Sequence, residues 1–410
     1  MFRDRRAEFN VRPSFRYRSM RLNHGLHLCY STNVHRGETW AETFEAVRTH
    51  SLAVKAQVSP HSPYALGLRL SDVASRELSE ANRLSEFKSW MKQQGCYLFT
   101  VNGFPYGRFH GTRVKEQVYA PDWTTPERLE YTIRLFDIVG ALVPEGVEGS
   151  VSTVPCSFKE FIQTDAQRRT MRDNIWRAVE HIEKVSQRSG RKLHLGLEPE
   201  PLCYLEDSSE TVQFFEELRA DRPGDQRLDQ YLGVNYDACH LAIEFEEPRD
   251  VVRRFRDHGV KVSKLHLSSA LCVVPSAKTL AALRPFVDQV YFHQVIERGR
   301  DGALTRYRDL DVALEQAEHR PPSAGVEWRI HFHIPLHSQP SEWFETTSNH
   351  ILGLLDSVRE DPSLCHHLEM ETYTWEVLPA ALKQRSVVDQ LVDEYRWCLA
   401  RLGERGIKPV

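Results

Sequence analysis

Short apolar runs alternate along the chain with longer segments in which apolar residues recur every three to five positions. Short runs of this kind are typical of buried β-strands, whereas the longer periodic segments are typical of amphipathic helices. The alternation occurs eight times. The eight predicted strands are residues 26–30, 66–70, 97–101, 149–154, 193–197, 231–236, 262–267 and 367–372.

Boundary signals for the helices agree with this division. Ser71 is the predicted N-cap of a helix that ends at Gly95, and Thr125 with Pro126 begins a helix that ends before Pro144. Further helices are predicted after Thr39 and near residues 165–190, 208–220, 248–258 and 386–402. Strands that alternate with helices predict a parallel sheet, and eight such units predict closure into a (β/α)₈ TIM barrel. An open, doubly wound sheet is the alternative.

About a hundred residues separate the seventh predicted strand from the eighth, and a further strand-like run lies within them at 328–334. We expect this stretch to enlarge the seventh loop at the active-site end of the barrel, with residues 273–327 as a lid or insertion. Residues 22–405 are predicted to form one barrel domain. Residues 1–21, which hold seven arginines, are expected to be a disordered basic extension.

The composition narrows the class of protein. With 410 residues, of which 41% are hydrophobic and 27% charged, the chain has the proportions of a soluble globular protein. Its net charge of −4 gives no general attraction for nucleic acid, which counts against a nuclease. The chain has no bilayer-length apolar run, no signal-peptide pattern and no C-x-x-C pair among its eight cysteines. We therefore expect a cytoplasmic protein that binds a small molecule rather than nucleic acid or a membrane.

Four consecutive predicted strands end in side chains that bind metals. Glu198 follows the fifth strand, Asp237 follows the sixth, and His266 and Glu371 close the seventh and eighth. In a barrel these strand ends meet at the active-site face, and buried carboxylates repel one another unless a cation binds them. The sequence therefore predicts a divalent-metal site. Carboxylates with an imidazole suit Mn²⁺, Mg²⁺, Co²⁺, Zn²⁺ or Fe²⁺ and do not select among them.

A second group of histidines extends this site. His331 and His333 alternate along an extended run and so share one face. Together with His240 they are predicted to hold a second metal near the first or to contact substrate, and the other interpretation is simple packing. Further candidate substrate contacts are His35 and Asn102 near the first and third strands, and His293 and Asp309 in the insertion.

Several blocks of sequence resemble a known family. The order of Glu198, Asp237-x-x-His240, His266 and Glu371-Thr372 is similar to the signature of xylose-isomerase-like barrels, a superfamily of sugar-phosphate isomerases, epimerases and metal-dependent apurinic endonucleases. More closely, residues 22–400 resemble the EboE family of metabolite traffic proteins. The blocks that carry this resemblance are 29–40 (CYSTNVHRGETW), 102–107 (NGFPYG), 119–123 (YAPDW), 331–335 (HFHIP) and 369–375 (EMETYTW).

The resemblance implies a barrel whose pocket binds a divalent metal through the four predicted ligands. In the isomerase and epimerase relatives, the cation polarises a carbonyl or hydroxyl pair while two ligating glutamates move a proton at the adjacent carbon. Glu198 and Glu371 occupy those positions. We therefore expect an isomerase-like or epimerase-like enzyme in the processing or traffic of secondary-metabolite precursors, with other proteins of that pathway as partners. The alternative is a protein that uses the same pocket only to bind and pass on a metabolite.

An endonuclease of the apurinic type is the least favoured interpretation. Such relatives use two further histidines, from the third and fourth strands, to hold an additional metal. Here those strand ends read Val101-Asn102-Gly103 and Thr153-Val154-Pro155, with His110 as the candidate replacement several residues further on. Without that metal the phosphate-cleaving arrangement is incomplete.

Overall fold

The computed structural model describes residues 19–108, 110–111, 113–323, 325–340, 344–376 and 385–410. Most of the predicted basic extension, residues 1–18, therefore lies outside the described residues. Among the described helices, none is both long and apolar enough to cross a bilayer. The eight cysteines fall within the described ranges and carry free thiols.

Eight parallel strands form a nearly closed barrel, which confirms the predicted fold. The strands of the described chain are β1 His27–Tyr30, β2 Tyr64–Arg69, β3 Cys96–Asn102, β4 Gly149–Thr153, β5 Leu193–Leu197, β6 Leu232–Asp237, β7 Val262–Leu267, β8 Leu271–Val273, β9 Val295–Arg298, β10 Leu304–Tyr307, β11 Glu327–Ile330, β12 Glu345–Thr346 and β13 His367–Met370. The barrel consists of β1 to β7 in order, with β13 between β7 and β1. The register sets Asp237 and Glu369 opposite His266, so the ends of β6, β7 and β13 lie level.

The barrel closes where β1 and β2 meet. Ser31, directly after β1, pairs with Gly67 of β2 through a parallel bridge. A Cβ atom at Gly67 would lie 2.5 Å from the carbonyl oxygen of Tyr30 and 2.7 Å from the sulfur of Cys29. Only a glycine permits so close an approach of the two strands.

Most of the helices connect the barrel strands on the outside, two lie in the segment between β8 and β11, and several begin or end at the predicted signals. They are α1 Trp40–Ala46, α2 Leu52–Val58, α3 Asp72–Leu78, α4 Ala81–Gln93, α5 Pro126–Leu142, α6 Asp165–Ser189, α7 Ser208–Asp221, α8 Arg227–Tyr231, α9 Ala238–Ile243, α10 Pro248–Asp257, α11 Ala277–Leu283, α12 Leu310–His319, α13 Ser348–Glu360 and α14 Val387–Glu404. Thr125 caps α5 with Pro126 in its first turn. Thr164 forms a capping box with Gln167 at the start of α6, and Gly190 ends that helix at a φ of 67°.

The segment between β7 and β13 forms a second sheet. In it β8 to β12 pair antiparallel in the order β10-β9-β11-β8-β12, beside α11 and α12. Val295, Leu310, Trp328 and Ile330 are among the buried side chains of its separate apolar core. The predicted insertion over 273–327 lies within this segment, which also contains β8, the end of β11 and β12.

Two predicted elements differ in detail. The single helix expected from Ser71 to Gly95 is divided into α3 and α4 at Glu80, whose ψ of 127° is extended. The strand expected over 328–334 ends at Ile330, after which the backbone amide of Ile334 donates to the carbonyl oxygen of Ser269. The chain thereby leaves the second sheet and crosses the carboxyl ends of the barrel strands.

Candidate metal centre

The carboxyl ends of four barrel strands bring four ligand-type side chains together. These are Glu198 after β5, Asp237 at the end of β6, His266 in β7 and Glu371 after β13. One ligand atom of each lies within 4.8 Å of the others, and all four side chains are buried. The distances from His266 Nδ1 are 2.9 Å to Glu198 Oε1, 3.1 Å to Glu371 Oε2 and 3.5 Å to Asp237 Oδ2.

These distances are those expected around a single ion. Ligand atoms about 2.0–2.2 Å from a divalent cation lie roughly 2.8–3.6 Å from one another in octahedral or tetrahedral geometry. Glu198 Oε2 and Asp237 Oδ2 are buried and have no hydrogen-bond partner among the described residues. Burying such oxygens is unfavourable unless a cation binds them. The residues present therefore fit a divalent cation with oxygen and nitrogen ligands.

The electrostatics of the cluster also favour added positive charge. Burial alone would lower the pKa of His266, yet Glu371 and Glu198 raise it well above its usual value. Burial alone would raise the pKa of Asp237, yet His240 and His333 help to hold it well below its usual value. The three carboxylates thus depend on neighbouring imidazoles for positive charge. A bound cation would supply the positive charge that these carboxylates need.

A buried ion pair beneath the cluster orients His266. The Nε2 atom of His266 lies 2.9 Å from Glu369 Oε2, which also accepts a hydrogen bond of 2.6 Å from Lys264 Nζ. Burial alone would raise the pKa of Glu369, but Lys264 and His266 lower it to about 2. Because Nε2 bonds to this carboxylate, Nδ1 faces the ligand cluster. The sequence analysis did not identify Lys264 or Glu369, although each lies two residues from a predicted ligand and so on the same face of its strand.

Two asparagines fix Glu371. Its Oε1 accepts hydrogen bonds from Nδ2 of Asn33, at 2.7 Å, and Nδ2 of Asn102, at 2.9 Å. Its Oε2 is thereby directed towards His266. Asn102 was a predicted substrate contact, and the structure places it on the cavity wall with its amide bonded to Glu371. Asn33 was not predicted as a site residue.

A cavity with aromatic walls opens onto the cluster. Its walls include Phe104, Tyr119, Tyr291, Phe292 and Tyr373, and its polar lining includes Asn33, Asn102, Glu198, Glu200, His240 and Glu371. The cavity therefore offers a ligand both apolar surface and several hydrogen-bonding groups.

Glu200 is a cavity residue that the sequence analysis missed. Its Oε1 accepts a 2.7 Å hydrogen bond from the hydroxyl of Tyr119. Burial raises its pKa to about 7. Its position in Glu198-Pro199-Glu200 was the available signal, because two carboxylates this close after a strand can face the same pocket.

The remaining predicted residues divide into two groups. His240, His331 and His333 lie together beside the cluster, and His240 lines the cavity. His35, His293 and Asp309 are absent from the described cavity lining. The ring of His35 bonds to the hydroxyl of Tyr30 and stacks on His50, and that of His293 stacks on Phe332. Asp309 caps α12 and pairs with Lys115. The structure therefore does not bring these three to the position expected of substrate contacts.

Comparison with known proteins identifies the fold. No protein-family model matches the chain, and no curated protein matches its sequence. A xylose isomerase-like TIM barrel protein from Mycobacterium smegmatis in complex with magnesium has 10% sequence identity and a TM-score of 0.51, over 93% of this chain and 98% of that one. A D-tagatose 3-epimerase-like protein has 10% identity and a TM-score of 0.49, over 92% and 98%. D-psicose 3-epimerase with D-tagatose from Clostridium cellulolyticum H10 has 11% identity and a TM-score of 0.47, over 92% and 98%. At 10% identity and a TM-score of 0.51, the first of these comparisons shows the fold alone, a TIM barrel of the xylose-isomerase-like type.

Proposed function

We propose that this xylose-isomerase-like barrel is a metal-dependent enzyme of the isomerase or epimerase type, acting on a small polyhydroxylated or carbonyl-bearing metabolite. The observation that carries the proposal is that Glu198 and Glu371 belong to the ligand cluster and also line the cavity. One bound substrate can therefore reach the cation and two carboxylates together. This combination supports proton transfer at a carbon beside a carbonyl, because the cation stabilises the negative charge that develops and the carboxylates can act as base and acid.

The residues of the chain have separable roles in this proposal. Glu198, Asp237, His266 and Glu371 would hold the metal, which would stabilise negative charge on a substrate oxygen. Oε2 of Glu198 has no hydrogen-bond partner among the described residues, so Oε1 can remain a ligand while Oε2 exchanges a proton with the substrate carbon. Oε1 of Glu371 is held by two asparagine amides, so Glu371 would exchange a proton through its Oε2. Glu200 adds a third cavity carboxylate, and its pKa of about 7 suits it to hold or release a proton at neutral pH.

We also infer that the chain belongs to the EboE family and acts in the processing or traffic of secondary-metabolite precursors. The sequence blocks that carry this resemblance supply the site. Asn33, Asn102, Tyr119 and Tyr373 come from four of them and line the cavity. The fifth, residues 331–335, contributes the histidines beside the metal cluster. The likeness therefore concerns the pocket itself, and other proteins of the same pathway are the expected partners.

A carrier that binds and passes on a metabolite without converting it is the second candidate. The aromatic cavity walls favour it, because they suit a ring-bearing or isoprenoid ligand. An endonuclease is less well supported. His110, the candidate replacement ligand, has Nδ1 2.7 Å from the hydroxyl of Tyr291 and Nε2 2.6 Å from the carbonyl oxygen of Asn33. Both of its ring nitrogens are therefore already hydrogen-bonded.

Solvent deuterium exchange separates an enzyme from a carrier. Protein loaded with Mn²⁺ is incubated in D₂O with a panel of aldoses, ketoses and sugar acids, and deuterium beside the carbonyl is measured by NMR. Proton transfer labels a substrate even when no net conversion occurs. We expect labelling or interconversion of at least one compound, and a loss of about 100-fold or more in Glu198→Gln and Glu371→Gln.

Glu244→Gln is the matched control. Glu244 is a buried glutamate that pairs with Arg306 and is absent from the described cavity lining, so its variant should label substrate at the wild-type rate. Wild-type protein that binds metal and a metabolite, yet never exceeds the exchange seen without protein, would refute the enzyme and favour the carrier.

A further inference from the structure

Three histidines meet at one point beside the carboxylate cluster. The Nε2 atom of His240 lies 3.1 Å from that of His331 and 3.3 Å from that of His333, and the latter two are 3.2 Å apart. All three side chains are buried, with at most 3% of any residue exposed. The three nitrogens therefore form a nearly equilateral triangle inside the protein.

The other nitrogen of each ring already has a carbonyl-type partner. The Nδ1 atoms lie 3.0 Å from the carbonyl oxygen of Pro199 for His240, 2.7 Å from the side-chain oxygen of Gln294 for His331, and 3.1 Å from the carbonyl oxygen of Glu371 for His333. Such oxygens only accept hydrogen bonds, so each Nδ1 carries the ring proton. Each Nε2 consequently presents a lone pair to the other two.

The orientation of Gln294 supports this assignment. Its amide nitrogen lies 3.2 Å from the hydroxyl of Tyr119 and 3.3 Å from the carbonyl oxygen of Pro201. A carbonyl oxygen needs a donor, so the amide nitrogen faces Pro201 and the amide oxygen faces His331. The neutral ring of His331 therefore has its proton on Nδ1.

Three mutually facing lone pairs repel one another, and the hydroxyl of Tyr373, 3.4 Å from Nε2 of His331, can donate to only one of them. A proton on one Nε2 could be donated to the other two only through a bifurcated hydrogen bond, whereas one cation can bind all three nitrogens. Nitrogen ligands about 2.0–2.1 Å from zinc lie roughly 2.8–3.4 Å apart, which includes the observed spacing. The Nδ1 hydrogen bonds to oxygen are those that typically orient metal-binding imidazoles.

We propose that His240, His331 and His333 form a second metal site, separate from the carboxylate cluster, that takes a borderline divalent cation such as Zn²⁺, Fe²⁺ or Co²⁺. Three neutral imidazoles favour such ions, whereas the three carboxylates of the first cluster also suit Mg²⁺ and Mn²⁺. Asp237 lies between the two sites, with Oδ1 3.9 Å from Nε2 of His240 and Oδ2 3.5 Å from Nδ1 of His266.

The second site faces the same cavity as the first. Because His240 lines that cavity, an ion on the three nitrogens can be reached by a ligand there. A three-histidine site leaves room in the coordination sphere for water or a substrate oxygen, as catalytic zinc sites do. The site thus goes beyond the proposed isomerase chemistry and does not depend on it.

Metal counting with paired variants tests this site. Protein is loaded with Co²⁺, freed of excess metal by gel filtration, and assayed by elemental analysis and by the visible absorption of bound cobalt. We expect two equivalents in the wild type, one in His331→Ala and His333→Ala, and one in Glu198→Ala. The control His350→Ala removes a buried imidazole that bonds to Tyr236 away from both sites, and it should keep two.

The two sites fail separately in this experiment. Wild-type stoichiometry in both His331→Ala and His333→Ala would overturn the second site. If His331→Ala and His333→Ala each lose one equivalent of metal while Glu198→Ala loses none, the second site is supported and the first is refuted. Should the histidine variants not fold, X-ray absorption of zinc-loaded wild type decides: two occupied sites predict an average of about two imidazoles per zinc, whereas the first site alone predicts one.

Discussion

Replacing Glu369 by glutamine removes the only carboxylate bonded to Lys264 among the described residues. The pair is fully enclosed, with side-chain exposures of 1% for Lys264 and 0% for Glu369, and its N–O distance is 2.6 Å. After the replacement the Lys264 ammonium keeps a hydrogen bond of 2.9 Å to the hydroxyl of Ser152 but has no counter-charge. Leaving one member of a buried pair in this state typically destabilises a protein by about 3–5 kcal/mol.

A double-mutant cycle separates the pair from the loss of either side chain. Lys264→Met leaves Glu369 with His266 and the Cys29 thiol, while Lys264→Met/Glu369→Gln removes both charges. We expect each single variant to lose about 3–5 kcal/mol, and the double variant to lose at least about 2 kcal/mol less than their sum. The assay is urea unfolding followed by circular dichroism for the wild type and the three variants.

A surface pair provides the control. Glu404 and Arg401 are 2.7 Å apart on the last turn of α14 and are both substantially exposed, so Glu404→Gln should change stability by less than about 1 kcal/mol. Additive losses in the cycle, or a Glu369→Gln variant as stable as the wild type, would refute the reasoning. Glu369→Gln should also weaken metal binding by about 10–100-fold, because Glu369 orients His266.

Three further predictions concern the barrel and its site. Gly67→Ala should lower the melting temperature markedly, because its Cβ would lie 2.5 Å from the Tyr30 carbonyl oxygen, and an unchanged melting temperature would contradict the strand contact. Burial raises the pKa of Glu394 from 4.5 to about 8. The folded protein keeps this proton where the unfolded chain has lost it, so stability falls as pH rises through that window. Glu394→Gln should reduce this fall by up to a few kcal/mol in the free energy of unfolding, measured by urea titrations at about pH 5 and pH 9. Asn102→Ala removes a donor to Glu371 and should raise the pKa of that carboxylate, which moves the acid limb of the pH–rate profile to higher pH. An acid limb at the wild-type pH would mean that this hydrogen bond does not set the pKa of Glu371.

The barrel could be predicted because its strands are buried on both faces. Strands such as β2 and β3 are therefore nearly continuous apolar runs, and their ends are marked by polar residues. Because the carboxyl ends of parallel barrel strands meet at one face, the predicted strand ends also placed Glu198 and Glu371 at that face. The caps at Ser71 and Thr125 depend only on local chemistry, which is why sequence patterns detect such boundaries.

The parts that escaped prediction depend on contacts between distant residues. In the second sheet β8 pairs with β11 across more than fifty residues, and no local pattern encodes that partnership. The ion pair of Lys264 and Glu369 joins β7 and β13, and the sequence of neither strand shows that these two side chains meet. His293 sits in a loop, where no periodicity indicates which way a side chain faces, and it turned out to stack on Phe332.

The central claim is that one divalent cation binds Glu198, Asp237, His266 and Glu371. A crystal structure of Mn²⁺-soaked protein, with data collected for the anomalous signal of manganese, tests it most directly. We predict an anomalous peak about 2.0–2.4 Å from one ligand atom of each of these four side chains. A map with no peak among them, or with the four side chains turned towards different partners, would contradict the account.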